Sequence, residues 1–220
     1  MIKPVELLLH FLFPRSCPVC GACGTVICPD CLDDVMGEHA PVPAKCLACG
    51  AFSPCGTHDR RFEVRALTFY RDASRDLLLH AKYGGSGLLA RAMGRRMAEL
   101  LGDLQGQWTV VTIPPHPQLN LLPRGDSHLE WMARGVADRR GYALSRCLKW
   151  RRKNVPQKKQ PSAQARRAMA VDSFMCQAPP DKVIVLDDVC TTGTTLLRAA
   201  QCLYDGGSEQ VVSLCWGAAP

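Results

Sequence analysis

Two groups of residues in this chain have the types and spacing to do chemistry. The first is the run Val183-Ile184-Val185-Leu186-Asp187-Asp188-Val189-Cys190-Thr191-Thr192-Gly193-Thr194-Thr195. Its four apolar residues read as a buried strand whose carboxyl end delivers two carboxylates to the top of a sheet, the edge where open α/β sheets gather ligands. A turn of threonine and glycine follows and opens a helix. Such a turn offers backbone N–H groups and hydroxyls to an anion, and the helix dipole favours negative charge there. Gly193 allows a close backbone approach that a side chain would obstruct. Two adjacent acids would repel a phosphate if they pointed into that cradle, so they are expected to take ribose hydroxyls, directly or through Mg²⁺. A threonine-rich helix cap alone is common; an acid pair placed just ahead of a five-residue Thr/Gly loop, in a strand–loop–helix context, is far more specific.

The second group is a set of cysteines. Eight of the chain's 13 fall between residues 17 and 55. They form the pairs Cys17-x-x-Cys20, Cys28-x-x-Cys31 and Cys46-x-x-Cys49, and Cys55-x-x-His58 completes the series. Each pair sets two ligands on one tight turn, and Zn²⁺ takes four in a tetrahedron. The eight candidates therefore allow two sites, or one site with spare thiols. Full sulfur-rich coordination leaves no open position, so the expected zinc is structural rather than catalytic. Paired spacings without secretion features favour metal ligation in a reducing, cytoplasmic setting over disulfides. Cys23 reads as unliganded, and Cys147, Cys176, Cys190, Cys202 and Cys215 read as small buried hydrophobes.

The elements that must hold these groups are legible in outline. A chain of 220 residues, 47% hydrophobic and 21% charged, suits one domain of about 150 residues with a smaller one beside it. A net charge of +7 and a pI near 8.8 favour anionic partners, either phosphorylated metabolites or nucleic acid. The opening MIKPVELLLHFLF is interrupted by Glu6 and His10, and reads as a short amphipathic helix rather than an export signal. Membrane insertion is not expected, because no stretch approaches about 18 uncharged apolar residues. Strands are predicted around 64–71, over 108–114, 183–188 and 210–216, and helices over Ala73–Lys82, Leu88–Leu101, Leu129–Arg140 and Thr194–Tyr204. Strands alternating with helices imply an α/β fold with a mostly parallel sheet covered on both faces. Between residues 139 and 171 the chain holds eleven Lys or Arg and no acid, which reads as a basic loop.

A double set of zinc knuckles ahead of this acid-pair motif resembles the ComF family, phosphoribosyltransferase-like proteins of DNA uptake and natural competence. The resemblance takes in Phe13-Pro14, Ala81-Lys82-Tyr83-Gly84, Pro114-Pro115-His116-Pro117, Arg124-Gly125 and Gln157…Arg166-Arg167. After Arg124-Gly125 this chain has Asp126-Ser127-His128 where the family has Phe-Asn-Gln. The resemblance implies a type I phosphoribosyltransferase fold over residues 62–220, preceded by an N-terminal helix and zinc-ribbon module over residues 1–61. It implies that phosphoribosyl pyrophosphate (PRPP) is bound with Mg²⁺. Asp187 and Asp188 would then serve the ribose and metal region, and Thr191, Thr192, Gly193, Thr194 and Thr195 the 5′-phosphate. The loop from Pro114 to Gly125 would hold pyrophosphate, with Arg124 as a phosphate partner and Lys82 near the same cleft. The basic segment around Arg151, Arg152, Lys153, Lys158 and Lys159 would form a hood over the site or contact single-stranded DNA. Two functional readings follow: a pyrophosphate-releasing transferase, or a non-catalytic PRPP sensor that binds single strands or docks DNA-uptake proteins.

Overall fold

A computed structural model describes residues 15–37, 40–58, 60–84, 86–115, 126–151 and 174–219. The amphipathic helix expected at the N-terminus, the Phe13-Pro14 lead-in, His116 to Gly125 and the basic residues from Arg152 to Arg167 lie outside the described residues.

The central strand forms where the sequence is most apolar. β7 (Lys182–Cys190) has Val183, Ile184, Val185 and Leu186 all fully buried in succession. Consecutive strand residues face opposite sides of a sheet, so four buried neighbours require cover on both faces. β7 is paired in parallel with β3 (Thr109–Thr112) on one side and β8 (Gln210–Ala218) on the other. β2 (Glu63–Phe69) extends the sheet beyond β8, and β4 (Ala143–Ser145) lies beyond β3, both parallel. β1 (Val42–Cys46) closes the far edge antiparallel to β2. The order is β1-β2-β8-β7-β3-β4. Among the described residues this is the mostly parallel sheet, flanked by helices, that the alternation of strands and helices implied.

Helices cover the sheet: α1 (Pro29–Met36), α2 (Asp72–Tyr83), α3 (Gly87–Met97), α4 (His128–Arg140) and α5 (Thr194–Asp205). The helix expected to reach Leu101 tightens into a 3₁₀ turn over Ala98–Leu101. β5 (Leu148–Trp150) and β6 (Phe174–Cys176) form a separate antiparallel pair flanking the basic segment. The buried indole of Trp216 donates to the Ser74 carbonyl at 3.1 Å, tying β8 to α2 without leaving a polar atom unpaired.

The cysteine-rich segment is sewn into this body. β1 ends in Cys46 and pairs through Cys46 with Glu63, so strand pairing runs across the change of composition near residue 61. α1 follows Cys28 and buries Leu32, Val35 and Met36 in the common core. The buried Thr68 hydroxyl donates to the Met36 carbonyl at 3.0 Å, locking α1 to β2.

α3 and α4 cross unusually closely, which explains a glycine inside each. A methyl group on Gly94 would overlap the Met132 carbonyl. One on Gly135 would overlap the Arg91 carbonyl and lie 2.8 Å from the Arg95 nitrogen. Alanine has the higher helix propensity, by about 1 kcal/mol, but forced overpacking against rigid backbone costs about 1–3 kcal/mol. The clash wins, so Gly135→Ala should lower unfolding stability by about 1 kcal/mol or more in a chemical denaturation experiment, despite its better propensity.

Candidate functional site

The acid pair does not end its strand. β7 continues to Cys190, with Asp187 opposite Cys215 and Val189 opposite Gly217 of β8. The carboxylates are therefore fixed by ladder hydrogen bonds on a rigid element, and the Thr/Gly loop begins after them. Lys82, near the C-terminus of α2, reaches Asp188 with Nζ 2.7 Å from Oδ2. His128, in the first turn of α4, approaches the same oxygen with Nε2 at 2.8 Å. All three side chains are only about one-fifth exposed. Since a carboxylate oxygen can only accept, His128 donates from Nε2.

These two donors divide the acids into different electrostatic states. Burial pulls the Asp188 pKa upward, but the hydrogen bonds from His128 and Lys82 overcome it and hold the group below the ordinary carboxylate value. Among the described residues Asp187 has no such pair of side-chain donors. Burial first, and the charge of Asp188 second, raise its pKa to about 7, although the Asp188 backbone N–H donates to Asp187 Oδ1 at 2.9 Å.

The segment before α4 explains how His128 is aimed. Ser127 caps the helix: its hydroxyl accepts the Glu130 N–H at 3.2 Å, while its own N–H donates to Glu130 Oε2 at 3.0 Å. Asp126 is held by Arg134 at 2.6 Å. After β7 the loop turns at Gly193, which has φ +73° and is buried, whereas Thr191, Thr192, Thr194 and Thr195 are exposed. The Thr192 and Thr194 hydroxyls lie 3.0 Å apart. No acidic residue occupies the first turn of α5, and the threonines on either side of Gly193 are exposed, so the positive end of this helix dipole meets no acid of its own turn.

The cysteines settle into two separate clusters, grouped consecutively along the chain. Cys17, Cys20, Cys28 and Cys31 form one; Cys46, Cys49, Cys55 and His58 form the other, the ligand atoms of each lying within 4.8 Å of one another. Cys20 Sγ and Cys28 Sγ are 3.7 Å apart, close to the edge of about 3.8 Å for a tetrahedron of thiolates around zinc. Cys55 Sγ lies 3.5 Å from His58 Nδ1, which likewise matches a thiolate–imidazole edge of about 3.5 Å. The backbone N–H groups of Thr57 and His58 lower the Cys55 pKa to about 6, so its thiolate is prepared for a cation. Each cluster could hold one metal ion with all four positions filled. All 13 cysteines are free of disulfides.

No family model matches the chain. It is 23% identical over 185 residues to "Competence protein ComFC" of Streptococcus pneumoniae (strain ATCC BAA-255 / R6), covering 84% of this chain and 77% of that protein. The likeness is thus to a competence protein. Similar solved structures include an allosteric regulatory enzyme of purine biosynthesis (22% identity) and the glutamine PRPP amidotransferase from B. subtilis complexed with ADP and GMP (20% identity). Each has a TM-score of 0.39 and covers 57% of this chain, which spans about a quarter of the length of those proteins.

The structure brings together Asp187, Asp188 and Lys82, with Thr191–Thr195 following the pair along the chain after two intervening residues. Arg124, Arg152, Lys153, Lys158 and Lys159 lie outside the described residues. His128 is the site residue that the residue pattern did not single out. Its only signal was that it stands where the resembling family has glutamine; a lone histidine at a helix start carries no period or spacing to mark it. Trp150, the aromatic inside the basic stretch, is committed to the fold: its indole donates to the Pro114 carbonyl at 2.8 Å and its ring lies 4.4 Å from that of Phe174.

The raised Asp187 pKa has a signed consequence. Its folded value lies above the ordinary 3.8, so folding takes up a proton between the two, and the stability this group contributes falls as pH rises toward 7. Asparagine mimics the neutral form. Asp187→Asn should therefore raise the melting temperature at pH 8 by about 2 °C or more, and by less at pH 6, when metal-loaded protein is followed by circular dichroism.

Proposed function

We propose that this chain binds PRPP with Mg²⁺ at the top of β7 and acts, as a phosphoribosyltransferase-like protein of the competence type, in DNA uptake in the cytoplasm. The observation that carries this reading is the acid pair set on rigid strand just ahead of a Thr/Gly helix N-terminus whose threonines are exposed, with Lys82 and His128 holding one acid ionised. The loop amides and the threonine hydroxyls suit a terminal phosphate. Carboxylates suit ribose hydroxyls and a hard cation. Asp187 fits such a cation, since burial beside Asp188 leaves its charge in want of a positive neighbour. Bound there, Mg²⁺ would neutralise diphosphate charge. Lys82 holds Asp188 through its ion pair, and Arg124 is the proposed partner of the diphosphate.

If transfer occurs, the protein needs no nucleophile of its own. The bond from C1 of the ribose to pyrophosphate breaks, an acceptor takes its place, and the site contributes positioning and charge stabilisation. A non-catalytic sensor with the same ligand is the alternative. The two part on a simple measurement: pyrophosphate release in the presence of candidate bases and amines.

We further propose that each cysteine cluster holds a structural Zn²⁺. Metal analysis of purified protein should return two equivalents, falling to one in Cys20→Ser and to one in Cys49→Ser. A single equivalent in wild type would leave one cluster without its role.

Calorimetry with PRPP and Mg²⁺ tests the central reading. One binding event is expected, weakened at least about 100-fold in Asp187→Asn combined with Asp188→Asn. Equal affinity in wild type and double variant, or no binding by wild type, defeats it. Single-strand binding by the basic segment should weaken steeply between 50 and 200 mM salt, on the order of tenfold or more; salt-insensitive binding rules out that contact.

A further inference from the structure

The second cysteine cluster and the Thr/Gly loop, distant in sequence, meet at one side chain. Leu47 stands between the ligands Cys46 and Cys49 and is 4% exposed. A methyl group placed on Gly193 would lie 2.9 Å from Leu47 Cδ2, 3.3 Å from the Leu47 carbonyl oxygen and 3.4 Å from its Cα. Leu47 is therefore packed directly against the glycine at the centre of the loop, backbone to backbone as well as by side chain. Its own position is fixed by the metal turn: the Gly50 N–H donates to the Cys46 carbonyl at 2.8 Å, and the Leu47 N–H to the Phe62 carbonyl at 2.7 Å.

A second tie runs from the same strand. Lys45 Nζ, one residue before Cys46, donates to the Ala219 carbonyl at 2.6 Å. The Ala219 N–H in turn donates to the carbonyl of Cys190, the residue from which the loop departs. Beyond these contacts a cavity of about 560 Å³, lined by Ala48, His58, Leu197 and Arg198 among others, opens beside the metal turn along α5. The turn thus bears on the start of the helix, where the loop lies, rather than on its body.

We infer that Leu47 is a positioning residue for the Thr191–Thr195 loop, and that metal in the second cluster, not the first, sets the shape of that loop through it. A closed four-ligand metal site is rigid, and a rigid turn beneath Gly193 removes loop conformations that would otherwise be lost on binding an anion. The first cluster bears instead on α1, which is locked to β2 by the Thr68–Met36 hydrogen bond. This inference rests on reading the loop as the phosphate cradle, but its primary observable does not.

Hydrogen exchange of the amides in 191–195, followed by mass spectrometry on the full chain, reads loop order without any ligand, and calorimetry with PRPP and Mg²⁺ reads binding. Leu47→Ala should keep both metal equivalents while exchange in 191–195 accelerates and PRPP binding weakens, each about tenfold; Leu47→Met should restore both. Leu47→Val carries the comparison if Leu47→Ala does not fold. Cys49→Ser should accelerate the same amides, and Cys20→Ser should not. Wild-type exchange in both Leu47→Ala and Cys49→Ser overturns the inference, as does equal acceleration by Cys20→Ser. If wild type binds no PRPP yet Leu47→Ala still loosens the loop, the ligand assignment fails and the buttress stands. If wild type binds PRPP and Leu47→Ala binds it equally with unchanged exchange, the buttress fails and the ligand assignment stands.

Discussion

Two carboxylates on consecutive residues of a half-buried strand repel each other and lose hydration together, so the surroundings must supply positive charge or leave a proton on one of them. Here both occur. Lys82 and His128 converge on a single oxygen of Asp188 and keep it ionised, while Asp187 is left with a pKa near 7. The arrangement fixes more than charge. Lys82 comes from the end of α2, His128 from the start of α4 and the acids from β7, so three elements must be held in register for the contact to exist. The close crossing of α3 and α4 at Gly94 and Gly135, and the cap formed by Ser127 and Glu130, set the start of α4 where His128 can reach. Packing far from the acids is thereby coupled to their protonation.

The same acids explain why the loop after them is polar without being charged. An acid in the first turn of α5 would compete with an incoming anion for the helix N-terminus. Threonines do not: they offer hydroxyls, and their exposure beside a buried Gly193 leaves the backbone close to whatever occupies the turn. Gly193 is required twice over, by its positive φ and by Leu47 pressed against it. The cysteine-rich segment thus meets that turn through Leu47.

How much of this was legible follows from how each signal is written in sequence. β2, β3, β7, β8 and the four long helices carry runs or periods that span several residues, and they fall within a few residues of expectation. The three-residue strands β4, β5 and β6 cannot display a period, and β1, Val-Pro-Ala-Lys-Cys, becomes a strand through its pairing with β2 rather than through its own propensity. α1 was hidden among cysteines despite a proline at its first position. The candidate metal ligands were legible as residues, because spacing within a turn is local. Their grouping into two consecutive foursomes was not, because it depends on where separate turns meet. His128 and Leu47 share that limit: each matters through a partner 60 or more positions away, and nothing in its neighbours announces the partner.

Charge is distributed in a way that separates long-range attraction from recognition. Residues 152–173 carry six Lys or Arg and one acid, Asp172, so most of the net +7 belongs to that stretch and little to the rest of the chain. The described body pairs its cations extensively: Arg91 with Asp138, Arg96 with Asp33, Arg134 with Asp126 and Lys82 with Asp188. The proposed hold on an anion would therefore come from short-range geometry, meaning the α5 N-terminus, the threonine hydroxyls and a cation relieving Asp187, rather than from a broad positive field. Trp150 is held by Phe174 and by the Pro114 carbonyl, so its ring is tied to the fold at the entrance to the basic stretch. The proposed binding of a small phosphorylated sugar rests mainly on the described residues, and attraction of a long polyanion would have to rest on residues 152–173, whose composition is different.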